Sequence, residues 1–110
     1  MIKLISQIDE IERVIQEENI VVGLFSDLGC NVCLAITPEL EKMSEAFPKV
    51  AFVSVDVKLE PSLVSQYLVL VYPTIILFTQ GKEAMRYERL VSLDQLEATI
   101  ERYDTIMNGD

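Results

Sequence analysis

Apolar residues recur along the chain with two different periods, and the alternation between them predicts the order of elements. From Ile8 the apolar positions Ile8, Ile11, Val14 and Ile15 fall on one face of a helix, while Asp9, Glu10, Glu12, Arg13, Gln16, Glu17 and Glu18 fill the other. Ser6, with Asp9 three residues on, predicts its N-cap, and Asn19 its end. The acidic side is most simply a solvated face. Ahead of it, Ile2 to Ile5 is a short first strand. Behind it, Ile20 to Ser26 is a continuous apolar run of strand length, as expected of a strand covered on both faces.

Asp27-Leu28-Gly29 turns the chain into a second helix, whose apolar stripe is Cys33, Ile36, Leu40, Met43 and Phe47. Pro38 lies inside that pattern, removes an amide donor, and predicts a kink that sets the first turn apart. Val50 to Val57 is a Val-rich second central strand that ends at Asp56. Pro61 opens a short helix to about Tyr67, with Leu63, Val64 and Tyr67 on its inner face. Leu68 to Tyr72 is a connector, and Pro73-Thr74 leads into a third strand, Ile75 to Thr79.

Gln80-Gly81-Lys82 is a turn of hairpin length, so Glu83 to Leu90 returns antiparallel, polar enough for a sheet edge. Ser92 and Gln95 form a capping box before a last helix with Leu93, Leu96, Ile100 and Tyr103 inside. Met107 to Asp110 reads as a frayed tail. The order β α β α β α β β α predicts an α/β fold: a central mixed sheet of four to five strands with helices on both faces.

Length and charge narrow the function. The 110 residues, half of them hydrophobic, predict a single domain over 1–110 and exclude a disordered chain. A net charge of −9 with no basic cluster argues against nucleic acid and against an anionic membrane surface. Partners are then proteins or small thiols. The start of the chain lacks the apolar run of a signal peptide, and no stretch of about 20 apolar residues exists, so a cytoplasmic location is expected.

In that compartment a cysteine pair is more often catalytic, redox-sensing or metal-binding than structural. The chain has two cysteines, Cys30 and Cys33, separated by Asn31-Val32 at a strand-to-helix junction. That spacing lets two thiols close a small disulfide ring and reopen it. An inert buried pair is the plain alternative. A zinc site has less to recommend it: there is no His and no second Cys pair, so closing the coordination needs carboxylates or another chain. No metal or cofactor is expected.

Taken together, Phe25 to Cys33, Pro38 five residues beyond Cys33, the Val55-Asp56 strand end, and Tyr72-Pro73-Thr74 before Ile75-Ile76-Leu77-Phe78 resemble the thioredoxin family across nearly the whole chain. The Gly81 hairpin and the Ser92-capped helix fall at that family's spacing as well. The resemblance implies a thioredoxin fold, with a cis bond at Tyr72-Pro73 beside the cysteines. It also implies a substrate groove at Tyr72, Pro73 and Thr74, where the backbone of Tyr72 pairs with an extended substrate segment. The implied activity is thiol–disulfide exchange with protein substrates: Cys30 attacks, and Cys33 resolves the mixed disulfide. A thioredoxin reductase is the electron donor the family suggests.

This sequence departs from the family pattern at several places. Gly29-Cys30-Asn31-Val32-Cys33 replaces the usual Trp-Cys-Gly-Pro-Cys, and Ser26 replaces a second Trp. Leu24 stands where the family keeps a buried Asp, and Phe52 where it keeps that Asp's Lys partner. Arg89 stands where a Gly leaves the groove open; there it is either a plain edge residue or one that narrows the groove or attracts acidic substrates. Cys30, at a helix N-terminus, is expected to be a ready thiolate. Cys33 lacks the usual internal base, which predicts slow resolution. Asp27, on the loop, raises the Cys30 pKa if it lies close. These departures keep a second function open: a redox-sensing or protein-binding module that uses the disulfide as a switch without turnover.

Overall fold

The computed structural model describes residues 2–5, 7–27, 31–58, 62–89 and 92–109. Leu28, Gly29 and Cys30 lie outside the described residues, as do the side chains of Asn31, Val32, Cys33, Leu63 and Val64. Five strands form one mixed sheet in the order β1-β3-β2-β4-β5. Along the chain the elements are β1 (Ile2–Ile5), α1 (Ile8–Glu17), β2 (Ile20–Ser26), α2 (Asn31–Ala46), β3 (Ala51–Asp56), α3 (Ser62–Tyr67), β4 (Thr74–Thr79), β5 (Lys82–Glu88) and α4 (Leu93–Met107). This is the predicted order.

β1 and β2 run parallel to β3 on its two sides, and β4 runs antiparallel to both β2 and β5. The period-2 alternation of side chains divides the core into two layers. On one face Val22, Leu24, Phe52, Ile75 and Leu77 meet Ile36, Leu40 and Met43 of α2 and Leu96 and Ile100 of α4. On the other, Val21, Phe25, Val53, Val55, Ile76 and Phe78 meet Ile11 and Ile15 of α1 and Tyr67 of α3. β2 is buried along its whole length, which is why its sequence is an unbroken apolar run.

The hairpin is tighter than the sequence suggested. Its loop is Gln80-Gly81 alone, with φ of 51° and 82°, and Lys82 already pairs with Thr79. Two successive positive φ angles match the twist of the flanking strands, and Gly81 adopts its angle at no steric cost.

Some expectations need correction. The cap of α1 is Gln7, which makes no side-chain cap hydrogen bond; Ser6 lies outside the described residues. α2 runs uninterrupted through Pro38, so the proline does not divide the element. The tail is tied down through Asn108. Its amide donates to the Asp104 carbonyl at 2.8 Å, its side chain accepts from Asn19 Nδ2 at 3.2 Å, and its carbonyl accepts from Lys49 Nζ at 3.1 Å. The Ser92 cap is as predicted, its Oγ accepting from the Gln95 amide at 3.3 Å.

Candidate active site

The ends of β2, β3 and β5 and the start of β4 lie at one end of the sheet. Ser26, the last residue of β2, pairs with Asp56 at the end of β3, and the Val57 amide donates to the Ser26 carbonyl at 3.0 Å. On the other side of β2, Phe25 pairs with Thr74, the first residue of β4. Pro73 therefore stands next to the point where the chain departs toward Cys30. Thr74 pairs in turn with Glu88, and the Arg89 amide donates to the Pro73 carbonyl at 2.9 Å.

The Tyr72-Pro73 peptide bond is cis, as the resemblance implied. Pro73 is buried and Tyr72 half-buried. Thr74 is fully buried, and its Oγ1 donates to the Val71 carbonyl at 2.7 Å, tying the connector to the strand it feeds. The three residues expected to form a substrate groove are thus one locally braced unit at the sheet end.

Both cysteines belong to the segment that leaves this same end. Asn31, the residue after Cys30, opens α2, so Cys33 is the third residue of that helix. The side-chain geometry of both thiols lies outside the described residues. Cys33 lies in the N-terminal turn of a 16-residue helix, where backbone amides are unsatisfied and the macrodipole favours negative charge.

The carboxylates near this end differ from one another. Asp27 Oδ1 forms an ion pair with Lys58 Nζ at 3.1 Å; Cys30, whose pKa Asp27 was expected to raise if close, lies outside the described residues. Asp56 accepts the Lys58 amide at 3.0 Å through Oδ1, while its Oδ2 is buried with no partner among the described residues. Leu24 is 1% exposed and Phe52 3% exposed, both within the core layer under α2. The positions where the resemblance would put a carboxylate and an ammonium are part of a buried apolar layer.

Arg89 is exposed and adopts φ of 65°. That left-handed angle suits Gly and costs other residues about 1 kcal/mol. The backbone here takes a shape that favours glycine, at the position where the resemblance would put one. Leu68, with φ of 53°, is a second such place.

One feature of this end of the molecule is not legible in the sequence. Arg86 of β5 forms a fork on Glu83, Nε to Oε2 at 2.9 Å and Nη2 to Oε1 at 2.8 Å. The same guanidinium donates through Nη2 to the Tyr67 carbonyl at 2.7 Å and through Nη1 to the Leu68 carbonyl at 3.0 Å. These carbonyls are the otherwise unsatisfied end of α3. The Arg86 hydrogen bonds hold the Glu83 carboxyl below its ordinary pKa against the opposing effect of burial. Tyr67 beneath packs its ring 5.5 Å from Phe25 and 5.9 Å from Phe78, and burial, followed by the Glu12 charge, raises its pKa.

The thioredoxin family model matches residues 4–102. The chain belongs to the thioredoxin family. It is 31% identical over 103 residues to the thioredoxin of Chlamydia muridarum, covering 94% of this chain and 99% of that one. It is also 27% identical over 100 residues to a thioredoxin-like protein of Bacillus subtilis, covering 91% and 89%. Among solved structures, Fasciola hepatica thioredoxin superposes with a TM-score of 0.85 at 27% identity, covering 93% of this chain and 99% of that one. As a thioredoxin-family member this protein is a thiol–disulfide oxidoreductase. The general substrates of the family are disulfide-bearing proteins.

Proposed function

We propose that the protein, acting as a single domain over residues 1–110, exchanges the Cys30–Cys33 dithiol with disulfides of protein substrates. The Cys30 thiolate attacks a substrate sulfur, forms a mixed disulfide, and releases one substrate thiolate. The Cys33 thiolate then attacks the Cys30 sulfur, which closes the Cys30–Cys33 disulfide and releases the second substrate thiolate. The substrate disulfide gains two electrons and the protein loses two. A thioredoxin reductase is the proposed external donor that restores the dithiol, and the cytoplasm is the proposed compartment. Among the described residues no helix is long and apolar enough to cross a membrane.

The observation that supports this reading is the pairing of Thr74 with Phe25, which sets Pro73 beside the β2 end that leads toward Cys30. The backbone of Tyr72 offers an extended substrate segment its pairing partner, with Pro73 and Thr74 forming the floor of the groove. In the resolving step, Cys33 must lose its proton without the carboxylate that Leu24 replaces, so release of substrate is slow.

That same replacement favours a second reading, a redox-sensing or protein-binding module in which disulfide formation is a switch. An insulin reduction assay with a chemical dithiol as donor separates the two. Turnover that depends on Cys30 and Cys33 and disappears in Cys30→Ser supports the enzyme; a single oxidation without turnover supports the switch.

A further inference from the structure

We propose that Arg86 is a positioning residue for substrate recognition, holding the Leu68–Tyr72 connector in the shape that presents the Tyr72 backbone. This rests on the substrate groove proposed at Tyr72 and Pro73. β5 pairs Arg86 with Ile76, whose side chain belongs to the layer under α1 and α3. Alternation along the strand thus sends Arg86 to the α3 face, and the guanidinium reaches the last carbonyls of α3 with its side chain only 20% exposed. Tyr87, the next residue, faces the other layer and donates to Thr99 of α4 at 3.0 Å.

The connector needs such a tie. It begins at Leu68 with a left-handed backbone angle that Leu does not favour, and it carries two exposed leucines, Leu68 at 67% and Leu70 at 79%, on either side of buried Val69. Its far end is fixed by Thr74 on Val71 and by the Arg89 amide on Pro73. At its near end, Arg86 supplies the two side-chain hydrogen bonds to the turn, and Glu83 fixes the plane of the fork that makes them. A planar guanidinium donates to a carboxylate and to two carbonyls at once, which an ammonium cannot reproduce.

The test is peptide affinity in a protein unable to turn over, Cys30→Ser with Cys33→Ser, titrated with an extended peptide taken from a reduced insulin chain. Adding Arg86→Gln is expected to weaken binding several-fold, and Arg86→Lys to weaken it partly. Tyr87→Phe, which removes one hydrogen bond on the opposite face, serves as the stability control and leaves affinity unchanged. In the protein with both cysteines, Arg86→Gln raises KM for insulin several-fold, with kcat and the rate on a small aromatic disulfide unaltered. Unchanged peptide affinity in Arg86→Gln overturns the proposal, as does an equal loss in Tyr87→Phe. Absence of turnover in the unmodified protein overturns the enzymatic reading instead, and the affinity titration still decides the role of Arg86.

Discussion

The centre of the sheet under α2 and the rim around β5 differ in where they keep charge. At the centre, Leu24 and Phe52 are buried among Ile36, Leu40, Ile75 and Leu77, where the resemblance would put a carboxylate and an ammonium. At the rim, Arg86, paired with Glu83, holds the start of the connector, the Arg89 amide bonds Pro73 at its far end, and two of the backbone angles there are left-handed. In the proposed mechanism, thiol deprotonation draws on the centre and recognition of an extended segment on the rim. On that proposal, an apolar centre leaves the first attack unaffected and gives no help with the second.

The largest test of this contrast is Leu24→Asp. A carboxylate placed in that dry layer without a partner should cost roughly 3 to 5 kcal/mol of stability in urea unfolding at neutral pH. Adding Phe52→Lys, on the same face and diagonal to position 24 through the Val22–Phe52 and Leu24–Ser54 pairs, should recover part of the loss. A neutral single variant would show that the centre is not dry.

At the rim, effects are smaller because solvent screens them. Arg86→Gln should cost about 1 kcal/mol, since its hydrogen bonds to charged and carbonyl oxygens are only partly shielded. A loss above that of a core truncation would mean the fork stabilises the whole sheet. Arg89→Gly should raise stability by about 0.5 to 1 kcal/mol by relieving the left-handed angle, read as a higher melting temperature.

The smallest effect is one of pH. The Glu83 carboxyl is held below its ordinary value of 4.5, so its contribution is fully present above that value and is lost as pH falls through the lowered one. With the carboxylate side chain 42% exposed, the contribution is a few tenths of a kcal/mol. The stability difference between the unmodified protein and Glu83→Gln should therefore be constant at neutral pH and vanish in acid. A difference that grew in acid would contradict the pairing.

Most of the fold was legible because it rests on local signals: the unbroken apolar run of β2, the helical stripe of α1, and the Ser92 cap. The cis bond was legible only through resemblance, since nothing in Tyr72-Pro73 itself distinguishes it from a trans pair. The Arg86 fork was not legible at all. It joins β5 to the end of α3 across 19 residues of sequence, and β5 read as a plain polar edge. The hold on the tail is not legible for a similar reason, because Asn108 is held by Asn19 and Lys49, both distant in the chain.

The most direct measurement is the rate at which substrate leaves the mixed disulfide at Cys30, followed in a single turnover as a function of pH. Slow release that accelerates with rising pH through the ordinary thiol range, and that stops in Cys33→Ser, is predicted for exchange through this pair over an uncharged centre. Fast release independent of pH would mean that Cys33 has an efficient internal base, and would contradict it.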